Sequence, residues 1–227
     1  MKRFWKQVSV EPGNSLALDG RPVRTPGRAL LALPTPALAE AVAEEWRAVS
    51  GDIDPRAMPL TGLANAAIDR IDPAREAFAA ALAAWGESDL LCYRAEAPEP
   101  LIARQDAAWD PLLDWARRRY DVHFETTAGI VHRAQPPATL ARLSEAVAAL
   151  DAFRLAGLSP LVTVSGSLVA ALALLEGAAD AETVWRAAQV DEAWQAEMWG
   201  EDELATQARS AHRADFDAGA RFLALLA

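Results

Sequence analysis

Up to about residue 35 the apolar positions come in short runs broken by turn residues; beyond it they recur three and four apart. Residues 4–10 (FWKQVSV) and 15–18 (SLAL) have strand character. Asp19-Gly20 predicts a hairpin turn, because both central residues must accept positive φ. Arg21 to Thr25 would be the return strand and Ala29 to Leu33 a further one, with Pro26-Gly27 between them. The result is a small antiparallel sheet. Thr35-Pro36 then opens a helix, threonine as cap and proline in the first turn. Leu38, Val42, Trp46 and Val49 line its apolar face, and Gly51 ends it. Residues 52–59 hold two prolines and read as a linker.

From there the pattern is helical. Helices are expected over 60–71, 72–86, 99–109, 110–120, 138–156, 160–176, 181–199 and 202–226. Leu90 to Arg94 is short and either extended or looped, Val122 to Glu125 a brief strand, and the chain from there to Pro137 irregular. Four of the helix starts, at Thr35, Asp72, Asp110 and Ser159, share a capping residue followed by proline. Leu140, Leu143, Val147 and Leu150 form one stripe; Val184, Ala187, Val190, Trp194 and Met198 form another. The fold class is α+β, mainly α: a sheet-plus-helix domain over 1–57 and a helical bundle over 58–227.

Between Arg154 and Glu176 lie 21 residues without a charge, long enough to cross a bilayer. Gly157, Ser159, Pro160, Thr163, Ser165, Gly166 and Ser167 interrupt them, and no Lys/Arg cluster marks a cytoplasmic flank. A buried central helix fits better than a span.

Composition supports the same picture. Of 227 residues 52 are alanine, a helix-favouring residue small enough to let helices approach closely. The net charge of −10 argues against a nucleic-acid partner. Residues 1–35 nevertheless carry +4 (Lys2, Arg3, Lys6, Arg21, Arg24 and Arg28 against Glu11 and Asp19), which is either a docking feature or a solvated strand face. One cysteine, Cys92, excludes an internal disulfide and reads as a buried thiol. The opening residues lack a signal-peptide core, so a bacterial cytoplasm is expected.

Catalytic signatures are sparse. His123, His132 and His212 lack metal-site spacing, and neither a phosphate-binding loop nor a dinucleotide fingerprint occurs, so no metal or cofactor is expected. Ser165-Gly166-Ser167 is not a nucleophile elbow; its serines should bond back to helical carbonyls. Carboxylates do gather at Asp191 and Glu192 and at Glu201, Asp202 and Glu203, with Gln195 and Trp199 between. Three readings of this corner remain open: Gly200 ends one helix and the acids favour the start of the next; Trp199 beside acids is a binding patch; or two carboxylates serve a small-molecule enzyme as acid and base.

Several segments together resemble one family: RFWKQVSV at 3–10, LDGRPVRTP at 18–26, LPTPALAEAVAEEW at 33–46, DPRAMPLTGLANAAIDR at 54–70, DLLCYRA at 89–95, QDAAWDPLLDWARRRY at 105–120, VSGSLVAALAL at 164–174 and WGEDE at 199–203. The succession is similar to the assembly chaperones of the F(1) head of F-type ATP synthase that act on its alpha subunit, the ATP-twelve family. The resemblance covers essentially the whole chain. It implies a small α+β domain before a helical bundle, and a holding chaperone rather than an enzyme: a monomer when free, transiently bound to the alpha subunit until the beta subunit replaces it. The family pattern W-G-x-x-E matches Trp199, Gly200 and Glu203, which makes Glu203 the first candidate to face the client. Asp202 and Glu201 follow, and Asp191, Glu192 and Gln195 match the stretch before it. Trp46, Trp109 and Asp110 match family positions where packing or capping is expected.

Overall fold

The computed structural model describes residues 2–200 and 202–227. β1 (Val8–Glu11), β2 (Ser15–Leu18) and β3 (Arg21–Pro22) form an antiparallel sheet in the order β1-β2-β3, with Val8 opposite Leu18 and Glu11 opposite Ser15. Asp19 (φ 48°) and Gly20 (φ 76°) form the turn that the sequence predicts. The Asp19 carboxylate accepts the Gln7 and Lys6 N–H groups, which holds its pKa below the usual value. The strand expected over Ala29 to Leu33 is reduced to isolated bridges, Arg24 with Leu30 and Ser15 with Ala32. A tight turn, with Arg28 at φ 70°, folds this segment back on itself first.

α1 (Pro36–Ala48) starts as its sequence indicates, the Thr35 hydroxyl accepting the Leu38 N–H at 3.1 Å. The same hydroxyl donates to the Leu225 carbonyl at 2.6 Å, tying the helix to the far end of the chain. Leu38 and Val42 are fully buried, while Trp46 is half-buried against Trp5 with ring centroids 5.2 Å apart. The Glu45 carboxylate accepts the N–H groups of Leu60 and Thr61, both at 2.8 Å. It therefore caps α2 (Pro59–Ala66) from another helix, where the dipole favours negative charge. The stretch before α2 carries a single 3-10 turn at Pro55–Ala57.

Of the four cap-then-proline starts, only Thr35 works as read. Asp72-Pro73 lies in a 3-10 turn (Asp72–Ala74) that runs into α3 (Arg75–Ala83) with no side-chain cap. Asp110-Pro111 lies inside one unbroken helix, α4 (Glu99–Tyr120). An interior proline costs about 3 kcal/mol. Burial of Trp109, Leu112, Leu113 and Tyr120 around it offsets this, at roughly 2 kcal/mol for each large apolar side chain. Asp110 caps nothing; it ion-pairs with Arg94 at 2.7 Å. Ser159-Pro160 is likewise interior, in α6 (Ala152–Ser165), whose actual cap is Asp151, accepting the Arg154 N–H at 2.8 Å. α5 therefore stops at Ala148 (Pro137–Ala148) instead of running to 156.

The 21-residue apolar run is two helices. Gly166, at φ 70°, closes α6, and Ser167 caps α7 (Leu168–Leu175) by accepting the Ala170 N–H at 2.9 Å. The Ser165 hydroxyl donates back to the Leu161 carbonyl at 2.6 Å, as expected of these serines. Leu168 to Ala173 are all buried, so α7 is hydrophobic on every side because protein surrounds it. Among the described residues no helix is long and apolar enough to cross a membrane. Cys92 is buried beneath these helices, and burial pushes its thiol up to about 12.

The helix expected over 181–199 breaks at Gln189 into α8 (Ala181–Ala188) and α9 (Val190–Trp199), and α10 (Glu203–Ala224) follows. No strand forms over Val122 to Glu125. The Gln135 side chain satisfies both the N–H and the C=O of Glu125, leaving no ladder to join. The strand pairing occurs just beyond, where β5 (Thr127–Ala128) lies parallel to β4 (Tyr93–Arg94).

Candidate functional site

α9 stands apart from the body. None of its residues is buried, although it sits between α8, whose Val184 and Ala187 are in the core, and α10. Polar ties hold it. Buried Gln105 of α4 donates from Nε2 to Asp191 at 2.7 Å and accepts the Ala95 N–H at 2.8 Å. Arg104 grips Glu197 through two N–H groups, each 2.8 Å from a carboxylate oxygen, with its guanidinium 4.8 Å from the centre of the Trp194 ring. That hydrogen bonding holds Glu197 below the usual carboxylate range.

Depressions flank the helix. A cleft of about 550 Å³ separates α9 from β4 and from the residues that follow β4 and β5; Tyr93, Glu96, Ile130, Asp191, Trp194 and Trp199 line it. A smaller one of about 430 Å³ lies between α9 and the first turns of α10, with Glu192, Gln195, Asp202 and His212 on its walls. A third, of about 1020 Å³, runs between α4 and α8 and reaches Val190.

The predicted residues divide as follows. Trp199 ends α9 with 78% of its surface in water. Gly200 (φ 87°) ends the helix as the sequence indicates. Asp202 is the cap of α10, accepting the Ala205 N–H at 3.2 Å. Glu203 is the first residue of that helix, exposed and without an ion pair or hydrogen bond among the described residues. Glu192 and Gln195 are exposed on the cleft walls, and Asp191 lies on the opposite cleft. Glu201 lies outside the described residues. Asp191 is engaged by Gln105 and Asp202 by its own helix, so these carboxylates are held by separate structural partners.

Sequence reasoning missed the other wall. Ile130 and Val131 are 98% and 75% exposed, and Met198 and Leu204 also face water beside Trp199. Among the described residues the only other large apolar side chains so exposed are Phe4 and Leu30, both before α1. The signal was present: Ile130-Val131 is an apolar pair in a stretch read as irregular, with no periodic partner to bury it against. Ile130 and Trp199 share one cleft with Glu96 and Asp191, and exposed apolar side chains beside charge mark a surface made to be covered.

The model of the family described as ATP12 chaperone protein matches residues 2–117, which stops short of α9. The Atp12 crystal structure from Paracoccus denitrificans is 44% identical, with a TM-score of 0.93, covering 100% of this chain and 98% of that one. A crystal structure of the Atu1473 protein of Agrobacterium tumefaciens is 39% identical at the same TM-score, over 100% and 86%. Protein atp12, mitochondrial, of Schizosaccharomyces pombe is 25% identical over 88% of this chain and 74% of its own length.

Proposed function

The chain belongs to the ATP12 chaperone family, and from that membership we propose that it is an ATP-independent holding chaperone for the unassembled alpha subunit of F-type ATP synthase. It would bind alpha in the bacterial cytoplasm as a monomer, keep it from aggregating, and release it when the beta subunit takes its place. The observation that carries this reading is the face around α9. α9, a helix with no buried residue, exposes Met198, Trp199 and the Glu192 carboxylate; exposed Ile130 shares a cleft with Trp199, and exposed Glu203 and Leu204 open the next helix. An alpha subunit without its neighbour exposes apolar surface that aggregates. A surface of the same character can cover it reversibly. Release then needs only a competing interface of higher affinity, with no hydrolysis step.

Co-expression with the alpha subunit alone, followed by affinity capture, tests the reading. Wild-type protein should raise soluble alpha and recover a complex; recovery of neither would sink it. Trp199→Ala should weaken the complex by about tenfold or more, the cost of truncating an aromatic anchor. Glu203→Lys should lower capture while moving the melting temperature by no more than about 2 °C, because Glu203 has no ion pair or hydrogen bond among the described residues to lose. A large fall in melting temperature would instead return Glu203 to a purely helix-stabilising role.

A further inference from the structure

We infer that the outer edge of β5, with the acidic cleft that the chain enters just beyond it at Gly129 and Ile130, takes an extended segment of client chain in which an apolar residue adjoins a lysine or arginine. The inference deepens the holding-chaperone reading and rests on it.

The edge comes first. Tyr93 pairs with Thr127 and Arg94 with Ala128, and the Gly129 N–H donates to the Arg94 carbonyl at 2.9 Å. In this register Thr127 and Gly129 turn their backbone groups to β4, so Ala128 turns both of its own outward. Its N–H meets no acceptor among the described residues, and its C=O receives only a 3.4 Å contact from the neighbouring Thr127 hydroxyl. Proteins usually blunt such an edge with a charge, a proline or a covering element. The outer edge of β1 is treated that way: the Arg47 guanidinium reaches the Val8 carbonyl at 3.5 Å. The edge of β4 is closed where Gln105 takes the Ala95 N–H. The β5 edge instead runs into Ile130-Val131, two apolar side chains held in water. An edge with a free donor and acceptor followed by exposed apolar side chains is the surface that strand addition uses.

Charge specifies the occupant. The cleft that Ile130 lines also holds Glu96, Asp191, Trp194 and Trp199. Glu96 has no ion pair or hydrogen bond among the described residues, and Asp191 is met only by the neutral amide of Gln105. The nearby cations are committed: Arg94 to Asp106 and Asp110, Arg104 to Glu197. An incoming segment therefore meets net negative charge and aromatic faces. An aliphatic or aromatic residue beside Lys or Arg satisfies both, and an acidic segment is repelled.

The test uses the full chain and synthetic ten-residue fluorescent peptides, so it needs no alpha subunit. One peptide alternates valine and threonine with two lysines; its counterpart carries glutamate in place of lysine. Two further copies of the lysine peptide are N-methylated on alternate residues in the two possible registers. The lysine peptide should bind saturably, with the glutamate peptide at least tenfold weaker. One methylation register should abolish binding and the other leave it. Ala128→Pro removes the outward N–H without touching the bond that Gly129 makes, and should weaken binding at least tenfold. Ile130→Asp should do the same, and its side chain, already in water, leaves the fold unaffected. Wild-type protein that ignores the lysine peptide, equal binding of the glutamate peptide, equal effects of the two registers, or unchanged binding by both variants would each overturn the inference. Failure of alpha capture with intact peptide binding would overturn the chaperone reading alone.

Discussion

Asp89→Ala is expected to destabilise the protein by about 3–5 kcal/mol, visible as a fall in urea midpoint with little change in slope. Asp89 is fully buried, and each carboxylate oxygen has a backbone donor. Oδ1 accepts the Leu91 N–H at 3.1 Å, and Oδ2 accepts the Val169 N–H at 2.9 Å. The first bond fixes the turn before β4; the second caps α7, the most deeply buried helix of the body. Alanine would leave both donors in the interior with neither partner nor water. Asparagine offers only one acceptor oxygen, so its NH₂ would face one of the two N–H groups. Asp89→Asn should fall between wild type and Asp89→Ala. Equal stability of all three would refute the assignment.

The same residue makes a pH prediction. Burial outweighs the N–H groups and the Ser167 hydroxyl and raises its pKa from 3.8 to about 6. A raised carboxyl pKa means that the folded state holds the proton more tightly than the unfolded state. Its ionisation therefore costs stability above pH 6, and that cost is relieved as pH falls from 6 towards 3.8. The window corresponds to roughly 3 kcal/mol. Asp19 and Asp180, whose pKa values are lowered by backbone donors, act in the opposite sense at lower pH. The quantity to measure is thus wild type minus Asp89→Asn across pH 7 to 4. The difference should move in favour of wild type as pH falls, and a flat difference would contradict it.

Periodicity made the elements legible and left their joints unread. α1 was readable to its cap because Thr35-Pro36 opens onto a clean apolar stripe and nothing outside the helix overrides it. The identical signal at Asp110-Pro111 and Ser159-Pro160 failed. There the flanking residues are already helical and buried, and tertiary burial tolerates one missing hydrogen bond. The break between α8 and α9 carries no glycine or proline; Ala188 and Trp185 are anchored in the core, while beyond the half-buried Val190 the helix is tied to α4 through Gln105 and Arg104. Part of the candidate surface was legible for a related reason. Trp199 and Glu203 stand out because a large aromatic and an acid flank a helix-ending glycine. Ile130 and Glu96 come from loops distant in sequence, and the β4–β5 pairing, two residues long, brings them to one cleft with α9.

Gly219→Ala should be the second large loss, about 2–3 kcal/mol or a fall of roughly 5–10 °C in melting temperature. α10 crosses α6 where two glycines meet. A Cβ on Gly219 would stand 2.8 Å from the Gly157 carbonyl oxygen and 2.7 Å from Cγ of Pro160. Neither can yield: one is backbone, the other a ring fixed to the helix. The methyl must drive the helices apart, loosening Phe153 from Phe222, whose rings stack 6.3 Å apart, and Leu223 from Gly157. Ordinarily alanine in place of a helical glycine gains up to about 1 kcal/mol, so the sign decides the matter. Gly62→Ala supplies the contrast, since Gly62 is also helical, in α2, and its Cβ would meet nothing within 4 Å. One substitution should lower the melting temperature and the other raise it. If Gly219→Ala behaved like Gly62→Ala, the close crossing of α6 and α10 would be wrong. The retention of Pro160 within α6 would then lose its physical reason, because this tight contact with α10 is what holds that proline-bearing segment in helical form.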